Sequence, residues 1–331
     1  KVGDVVCQLV ERSLEMVIGI VAILMTGATY TGLSPREPIT RLQTYVDQTG
    51  AQLVLAHGST LHIALSDSSV LQLDRFVSGD GVSNDCTVLD NVTVSPDDIS
   101  YIVFTSGSTG APKGVQLRHR NFVSYIRSYV IERTDVLLHH SSVTFDAHIE
   151  EIAGPLLNGA TLVILHPVGH LDMAMFSVTI REQQVTSLAI VPSQLTNMIG
   201  FVQSTEDVHS LSTLRWIVCA GEALYSSVVT NALPYLSETC CIYNHYGPAE
   251  CTEAAIGHTI SSADLTHPSL PLGVPMPNVH IHLLDEHLQP VIPGHHIGEI
   301  CIAGAGVFAG YLGRPDLTEK VLCTVDGELC Y

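Results

Sequence analysis

The sequence predicts an α/β fold: two parallel-sheet α/β lobes with helices on both faces, plus part of a small β-barrel lobe. Three observations predict it. Short apolar runs bounded by turn residues alternate with helical patterns over residues 1–265, as strands joined by crossover helices do. From about residue 268 the apolar runs shorten and alternate while Pro and Gly become frequent, which favours antiparallel strands. With 331 residues, 46% of them hydrophobic and 14% charged, the chain fits about two domains or one large α/β unit. That composition excludes intrinsic disorder. The expected lobes are residues 1–133, 134–265 and 266–331.

Taken in order, residues 9–25 carry apolar side chains at helical spacing. The run from Met16 to Met25 is short of the roughly 18–20 residues that cross a bilayer. Despite a mean hydropathy of +0.31, it reads as a buried helix feeding a strand. Residues 38–49 predict a helix with Pro near its start. Residues 51–56 form a short buried strand, and the polar residues 79–96 a surface loop. Residues 101–104 are a strand that runs into a Gly-rich loop. In the second lobe, residues 161–165, 187–191 and 214–219 are strands, and residues 176–184 a helix. Another helix follows Pro192 through Ile199. Residues 280–284 and 299–302 are strands of the β lobe.

Lys and Arg number 14 against 33 Asp and Glu, a net charge of −19. Such a chain is a poor binder of the nucleic-acid backbone or of an anionic membrane surface. A phosphate ligand must instead be held locally, by backbone amides, one or two cations and a metal. The chain reads as a fragment without a cleavable signal peptide. Nine scattered cysteines with no C-x-x-C pair point to reduced thiols and a cytoplasmic setting. The 17 histidines, His139-His140, His280/His282 and His295-His296 among them, lack partners at zinc spacing.

Four segments carry chemistry. Residues 105–114, Thr105-Ser106-Gly107-Ser108-Thr109-Gly110-Ala111-Pro112-Lys113-Gly114, place hydroxyls, glycines and one lysine after a strand. Glycines turn backbone N–H groups inward, hydroxyls add donors and Lys113 adds a point charge, which suits a triphosphate. Pro112 before Lys113 and Gly114 after it exclude a Walker P-loop, and the spacing is not that of a nucleophile elbow. Asn244-His245-Tyr246-Gly247-Pro248-Ala249-Glu250 offers an amide, rings and a carboxylate in one polar turn. Asn suits an adenine edge, Tyr stacks, and Glu holds Mg²⁺. Phe145-Asp146-Ala147-His148 sets a carboxylate in an apolar region, either as a helix N-cap or to meet a cation. The glycines of residues 298–312 miss the dinucleotide spacing and read as a strand and tight turn beside a site.

In this order the four segments resemble the adenylate-forming superfamily, and most of all the adenylation domains of nonribosomal peptide synthetases. The likeness runs along nearly the whole chain, with Leu272-Gly273-Val274-Pro275 and Asn278 also matching. The resemblance implies an ATP- and Mg²⁺-dependent ligase that activates an amino-acid carboxylate as an aminoacyl-adenylate. It also implies transfer to the phosphopantetheine thiol of a carrier protein. Thr105, Ser106, Gly107, Ser108, Thr109, Gly110 and Lys113 would then cradle the phosphates, with Lys113, Thr109 and Glu250 closest to the chemistry. Gly221 and Glu222 would line the adenine pocket, Asn244 bond the adenine edge, and Tyr246, followed by Gly247, stack on the ring. Glu250 would bind Mg²⁺ and Asp146 the α-ammonium.

Carried over position by position, the substrate pocket is Asp146, Ala147, Glu150, Gln194, Val218, Ala220, His245, Glu253 and Ala254. Glu150 and Glu253 are acids beyond the one the ammonium uses, and unpaired carboxylates are costly in apolar surroundings. They point to a polar or basic side chain such as ornithine, lysine or arginine, unless His245 neutralises one of them. Three features depart from the family pattern: Ala249 where Thr is usual, His148 where Ser is usual, and a loose Thr26-Gly27-Ala28-Thr29-Tyr30-Thr31-Gly32 segment. The family's ribose-binding aspartate would follow Tyr331, and its C-terminal lid lobe with the catalytic lysine lies beyond, so the fragment alone is expected to be poorly active. The alternatives are an acyl-CoA or aryl-CoA ligase and a degenerate nucleotide-binding domain.

Overall fold

The computed structural model describes residues 1–63, 65, 68–77, 87–106, 110–128, 130–207, 209–292, 294 and 296–331. Gly107, Ser108, Thr109, His295 and residues 79–86 of the expected loop lie outside the described residues. The chain forms two compact units: residues 1–124, 142–146 and 303–331 make unit 1, and residues 125–141 and 147–302 make unit 2.

Unit 1 opens with β1 (Val5–Leu9), α1 (Leu14–Met25), β2 (Thr29–Leu33), α2 (Ile39–Thr49), β3 (Leu53–Ala56), β4 (Ser69–Gln72) and α3 (Leu73–Val77). Then come β5 (Ile99–Thr105), β6 (Lys113–Arg118) and α4 (His119–Ile126). The helix expected from residue 9 starts later because Leu9 stays in β1 and Ser13 caps α1, accepting from the Met16 N–H at 3.2 Å. Nor is α1 wholly buried: Leu14, Ile18, Val21 and Met25 are exposed, while Met16, Val17, Ile20 and Ile23 face the core. The Pro38 start of α2 is as expected, and Gly50 ends it at φ +62°. β1 to β4 and β2/β5 pair parallel; β5 and β6 pair antiparallel, with Thr105 opposite Lys113. Cys7, Leu9, Leu33, Leu42, Tyr45 and Val54 fill the core beneath α2, and Phe104 stacks on Tyr45 at 4.1 Å. Each such side chain contributes roughly 1.5–3 kcal/mol on burial.

Unit 2 contains β7 (Val136–His139), α5 (Ala147–Asn158), β8 (Thr161–Ile164), α6 (Met173–Glu182), β9 (Ser187–Ile190), α7 (Pro192–Thr205) and β10 (Trp216–Cys219). It continues with α8 (Ser226–Ala232), β11 (Cys241–Tyr246), β12 (Ile256–Thr259), β13 (Val274–Pro275), β14 (Val279–Leu284) and most of β15 (Glu299–Gly304). The sheet order is β13-β12-β11-β10-β9-β7-β8, parallel from β11 to β8 and antiparallel beyond. Asp172 caps α6, so that helix starts before the expected residue 176. α7 runs past Ile199 to Thr205 because its apolar stripe, Leu195, Met198, Ile199 and Val202, continues into the core.

The last 29 residues return to unit 1. β16 (Gly310–Tyr311) pairs with β6 and completes the sheet β16-β6-β5-β2-β1-β3-β4. α9 (Pro315–Val321), β17 (Cys323–Val325) and β18 (Glu328–Cys330) follow, and β18 pairs antiparallel with β17 and with β15 at Ala303. No helix is long and apolar enough to cross a membrane among the described residues.

Candidate active site

In open parallel sheets, ligands bind beyond the carboxyl ends of the strands. In unit 2 these ends carry most of the singled-out residues. β9 ends at Ile190, and Pro192 opens α7. β10 ends at Cys219 and leads through Ala220 to Gly221 at φ +82° and Glu222. The Glu222 carboxylate accepts from the Ser193 N–H at 2.9 Å and from its hydroxyl at 2.8 Å, so it clamps the first turn of α7. β11 ends with Asn244, His245 and Tyr246. Asn244 is buried and donates to the Pro271 carbonyl at 2.8 Å, while Tyr246 is 38% exposed.

The turn after β11 is tightly built. A Cβ on Gly247 would stand 2.5 Å from the Glu253 carbonyl oxygen and 2.6 Å from Ala254 Cα, so only glycine fits. A 3₁₀ turn over Ala249–Cys251 holds the buried Glu250. Thr252 and Glu253 then take left-handed conformations at φ +61° and +65°, strained for side chains with a Cβ and especially for a β-branched one. This segment delivers buried Ala254 beside Gly247.

Within unit 2 a cavity of about 590 Å³ is lined by Val218 and His245, both expected pocket positions, and by Trp216, Tyr243 and Met276. Trp216 stacks on Tyr243 at 5.6 Å. Val218 and Trp216 alternate along β10 onto the face away from Ile217 and Cys219, which fill the core under α7 and α8. His245 is buried, and burial lowers its pKa from 6.5 to about 4. Its imidazole is therefore neutral near pH 7 and supplies no positive charge to an acid of the pocket.

Glu150 and Glu151 open the buried face of α5. Glu150 accepts from the Tyr125 hydroxyl at 2.8 Å. Glu151 accepts at one oxygen from His139 Nδ1 (2.8 Å) and from the His140 and Ser141 N–H groups (3.0 Å each), and at the other from Ser141 Oγ (2.7 Å). Gln194, half-buried on α7, donates to the His170 carbonyl at 3.4 Å. Ala147 is the first residue of α5, and Asp146 immediately precedes it.

In unit 1, Thr105 ends β5 and Lys113 begins β6, and the two residues stand opposite each other in the antiparallel pair. Ser106 and Gly110 are exposed, with Gly110 at φ +85°. Lys113 Nζ lies 5.0 Å from the centroid of the Tyr311 ring. Four partners were beyond sequence reasoning: Tyr125 for Glu150, Ser193 for Glu222, Pro271 for Asn244 and Tyr311 for Lys113. Each is between 25 and 198 residues from its partner, beyond the reach of local spacing. Among the described residues no group of three or more His, Cys, Asp and Glu stands ready to hold a metal.

The AMP-binding enzyme family matches residues 1–312. Zwittermicin A synthase ZmaJ of Bacillus cereus is 33% identical over 322 residues, covering 94% of this chain; the chain spans 60% of that relative's length. The nonribosomal peptide synthetase FmoA3, in its α-methyl-L-serine-AMP-bound form, aligns with a TM-score of 0.90 and 27% identity over all of this chain and 37% of its own. The N-terminal subdomain of Klebsiella oxytoca NpsA, in complex with 3-hydroxybenzoyl-AMSN, aligns at 0.86 with 27% identity over all of this chain and 82% of its own. An artificially fused NpsA–ThdA adenylation–PCP didomain aligns at 0.87 with 28% identity, over all of this chain and 65% of its own. By sequence along nearly its whole length and by fold throughout, the chain belongs to the AMP-binding enzyme family, where its relatives are adenylation domains of nonribosomal peptide synthetases.

Proposed function

We propose that this chain adenylates an amino acid at the expense of ATP for transfer to a carrier-protein phosphopantetheine thiol. One observation carries the reading: two of the singled-out segments, and the Gly221–Glu222 pair, follow the carboxyl ends of parallel strands, β5 in unit 1 and β11 and β10 in unit 2, where α/β sheets bind ligands. The FmoA3 structure bound to an aminoacyl-AMP supports the reaction class, and the NpsA–ThdA fusion supports a carrier partner.

In this reading a carboxylate oxygen of the amino acid attacks the α-phosphorus. The new O–P bond forms as the bond to pyrophosphate breaks. Two anions must meet, so positioning and charge neutralisation dominate and no side-chain nucleophile is needed. Thr105, Ser106, Gly107, Ser108, Thr109 and Gly110 would donate to phosphate oxygens, with Lys113 as the local cation. Gly221, Glu222, Asn244, Tyr246 and Gly247 would frame the adenine. Asp146 would pair with the α-ammonium.

Mg²⁺ usually takes one or two carboxylates together with substrate phosphates, not an all-protein cage. One buried carboxylate, Glu250, and no larger ligand cluster among the described residues fit that pattern. When bound there, the ion would neutralise phosphate charge. Ala147, Glu150, Gln194, Val218, Ala220, His245, Glu253 and Ala254 would form the side-chain pocket. Glu150 and Glu253 add two acids to that pocket beyond Asp146, which favours a polar or basic amino acid.

The test is amino-acid-dependent ATP–pyrophosphate exchange, on the protein carrying this chain together with the segments that flank it in its relatives. The standard amino acids and ornithine are tried, with Asp146→Ala as control. Exchange with a few polar or basic amino acids, lost by at least 100-fold in the control, is the expected result. The aryl-adenylate analogue on NpsA favours a second reading, activation of a substrate without an amine. Exchange with aryl acids that survives Asp146→Ala would establish that reading instead. Nucleotide binding with no exchange would leave a degenerate binding domain.

A further inference from the structure

Residues 298–312 were singled out by their glycines, and the reaction above gives them no part. The structure brings their end against Lys113 at the start of β6. β16 pairs with β6 in the register Tyr311 to Val115 and Gly310 to Gln116. Backbone bonds from Ala309 N–H to the Gln116 carbonyl and from Leu312 N–H to the Gly114 carbonyl, both 2.8 Å, fasten it on either side. The Tyr311 N–H donates to Thr318 Oγ1 at 2.9 Å. Its ring is 4% exposed and packs on the edge of Phe308 at 5.0 Å, and Phe308 meets Tyr331 at 5.7 Å. The ring face so fixed looks onto Lys113 Nζ at 5.0 Å.

We propose that Tyr311 is a positioning residue for Lys113, holding the ammonium on its ring face at the start of β6 so that it meets the triphosphate pre-ordered. The proposal rests on reading residues 105–113 as the phosphate cradle. A free lysine side chain loses considerable rotamer freedom on binding an anion. A ring face reduces that loss by attracting the cation beforehand. A carboxylate would order the lysine equally well but would cancel the charge that the phosphates need. Among the described residues no ion pair to Lys113 is found, and the Tyr311 ring is its partner. The aromatic chain Tyr331–Phe308–Tyr311 thus gives the 298–312 segment a role in nucleotide binding that its glycines alone did not suggest.

The experiment is calorimetric titration of this chain with ATP, in the wild type, Tyr311→Leu, Tyr311→Phe, Lys113→Met and the double variant. Tyr311→Leu is expected to weaken binding about fivefold, the scale of an ordinary cation–π contact. Tyr311→Phe, which restores the ring face, recovers most of that loss. In the Lys113→Met background, Tyr311→Leu has no further effect. A loss from Tyr311→Leu that is equally large without the lysine would overturn the proposal and make the ring a packing residue. No change in Lys113→Met itself would remove the phosphate-cradle reading along with it. Pentafluorophenylalanine at position 311 keeps the ring's shape but not its negative face. It guards against misfolding of the leucine variant: binding as tight as wild type there also defeats the proposal.

Discussion

Two neighbouring acids on one helix have different fates. Glu150 and Glu151 are consecutive on α5, about 100° apart around its axis, and both are buried. Glu151 turns to the β7–α5 junction and gathers four hydrogen bonds from His139, His140 and Ser141. Burial raises its carboxyl pKa, but the neighbouring His140 and the bonds from His139 and Ser141 outweigh it and lower the value from 4.5 to about 2. Glu150 turns to the phenolic hydroxyl of Tyr125, a neutral donor. The first acid is built into the scaffold; the second is the one that the proposed substrate pocket would use. The lesson is that a buried carboxylate reads as structural when the backbone beside it supplies donors, as for Glu151, whereas the donor to Glu150 is a side chain 25 residues away.

The largest effect should come from breaking the scaffold acid. Glu151→Leu strands two backbone N–H groups, a hydroxyl and the His139 ring, and should cost about 3–5 kcal/mol in denaturant unfolding. Glu151→Gln keeps an acceptor for most of them and should cost about 1–2 kcal/mol. The folded pKa lies below the ordinary value, so the stability from Glu151 is present above pH 4.5 and lost as pH falls toward 2. Glu151→Gln should therefore flatten the unfolding profile across that window. An unchanged acid limb in Glu151→Gln would show that the network is not the acid-labile element. Glu150→Gln should be milder for stability, about 1 kcal/mol or less, because Tyr125 can still donate. Its effect should appear in function: at least a tenfold drop in exchange with basic amino acids relative to neutral ones. Equal losses for both would make Glu150 a second scaffold acid and erase the contrast.

Much of this was legible in the sequence. Alternation of apolar runs and helical patterns located β3, β5, β8, β9 and β10 to within about two residues, because a short apolar run bounded by turn residues is a strong local signature. Pro38 and Pro192 marked helix starts for the same local reason. The return of residues 303–331 to unit 1 was not legible, since β16 has two residues and its partner β6 lies nearly 200 positions earlier. α9 was hidden by its polar composition and short length. At the site, the sequence supplied the residue types, but burial decided their state. His245 could have served as a cation to an acid until its surroundings were known. The same limit applied to Glu151, whose donors come from the loop at the end of β7.

His245 tests the pocket side of the comparison, with the smallest effect. It is the mirror image of Glu151, because burial there removes a charge that Glu151's surroundings retain. Between its ordinary value of 6.5 and about 4, the unfolded chain binds a proton at this site that the folded chain does not. Its contribution to stability is thus complete above pH 6.5 and declines as pH falls toward 4, a window that hardly overlaps that of Glu151. His245→Phe should flatten the unfolding profile between pH 6.5 and 4 and leave the limb below 4 untouched. The affinity for a basic amino acid should show no inflection from His245 between pH 6 and 8, since a ring already neutral has no charge to lose. An inflection near 6.5 that disappears in His245→Phe would mean that the imidazole is charged in the pocket. It could then neutralise an acid there, and the case for a basic substrate would lose its support.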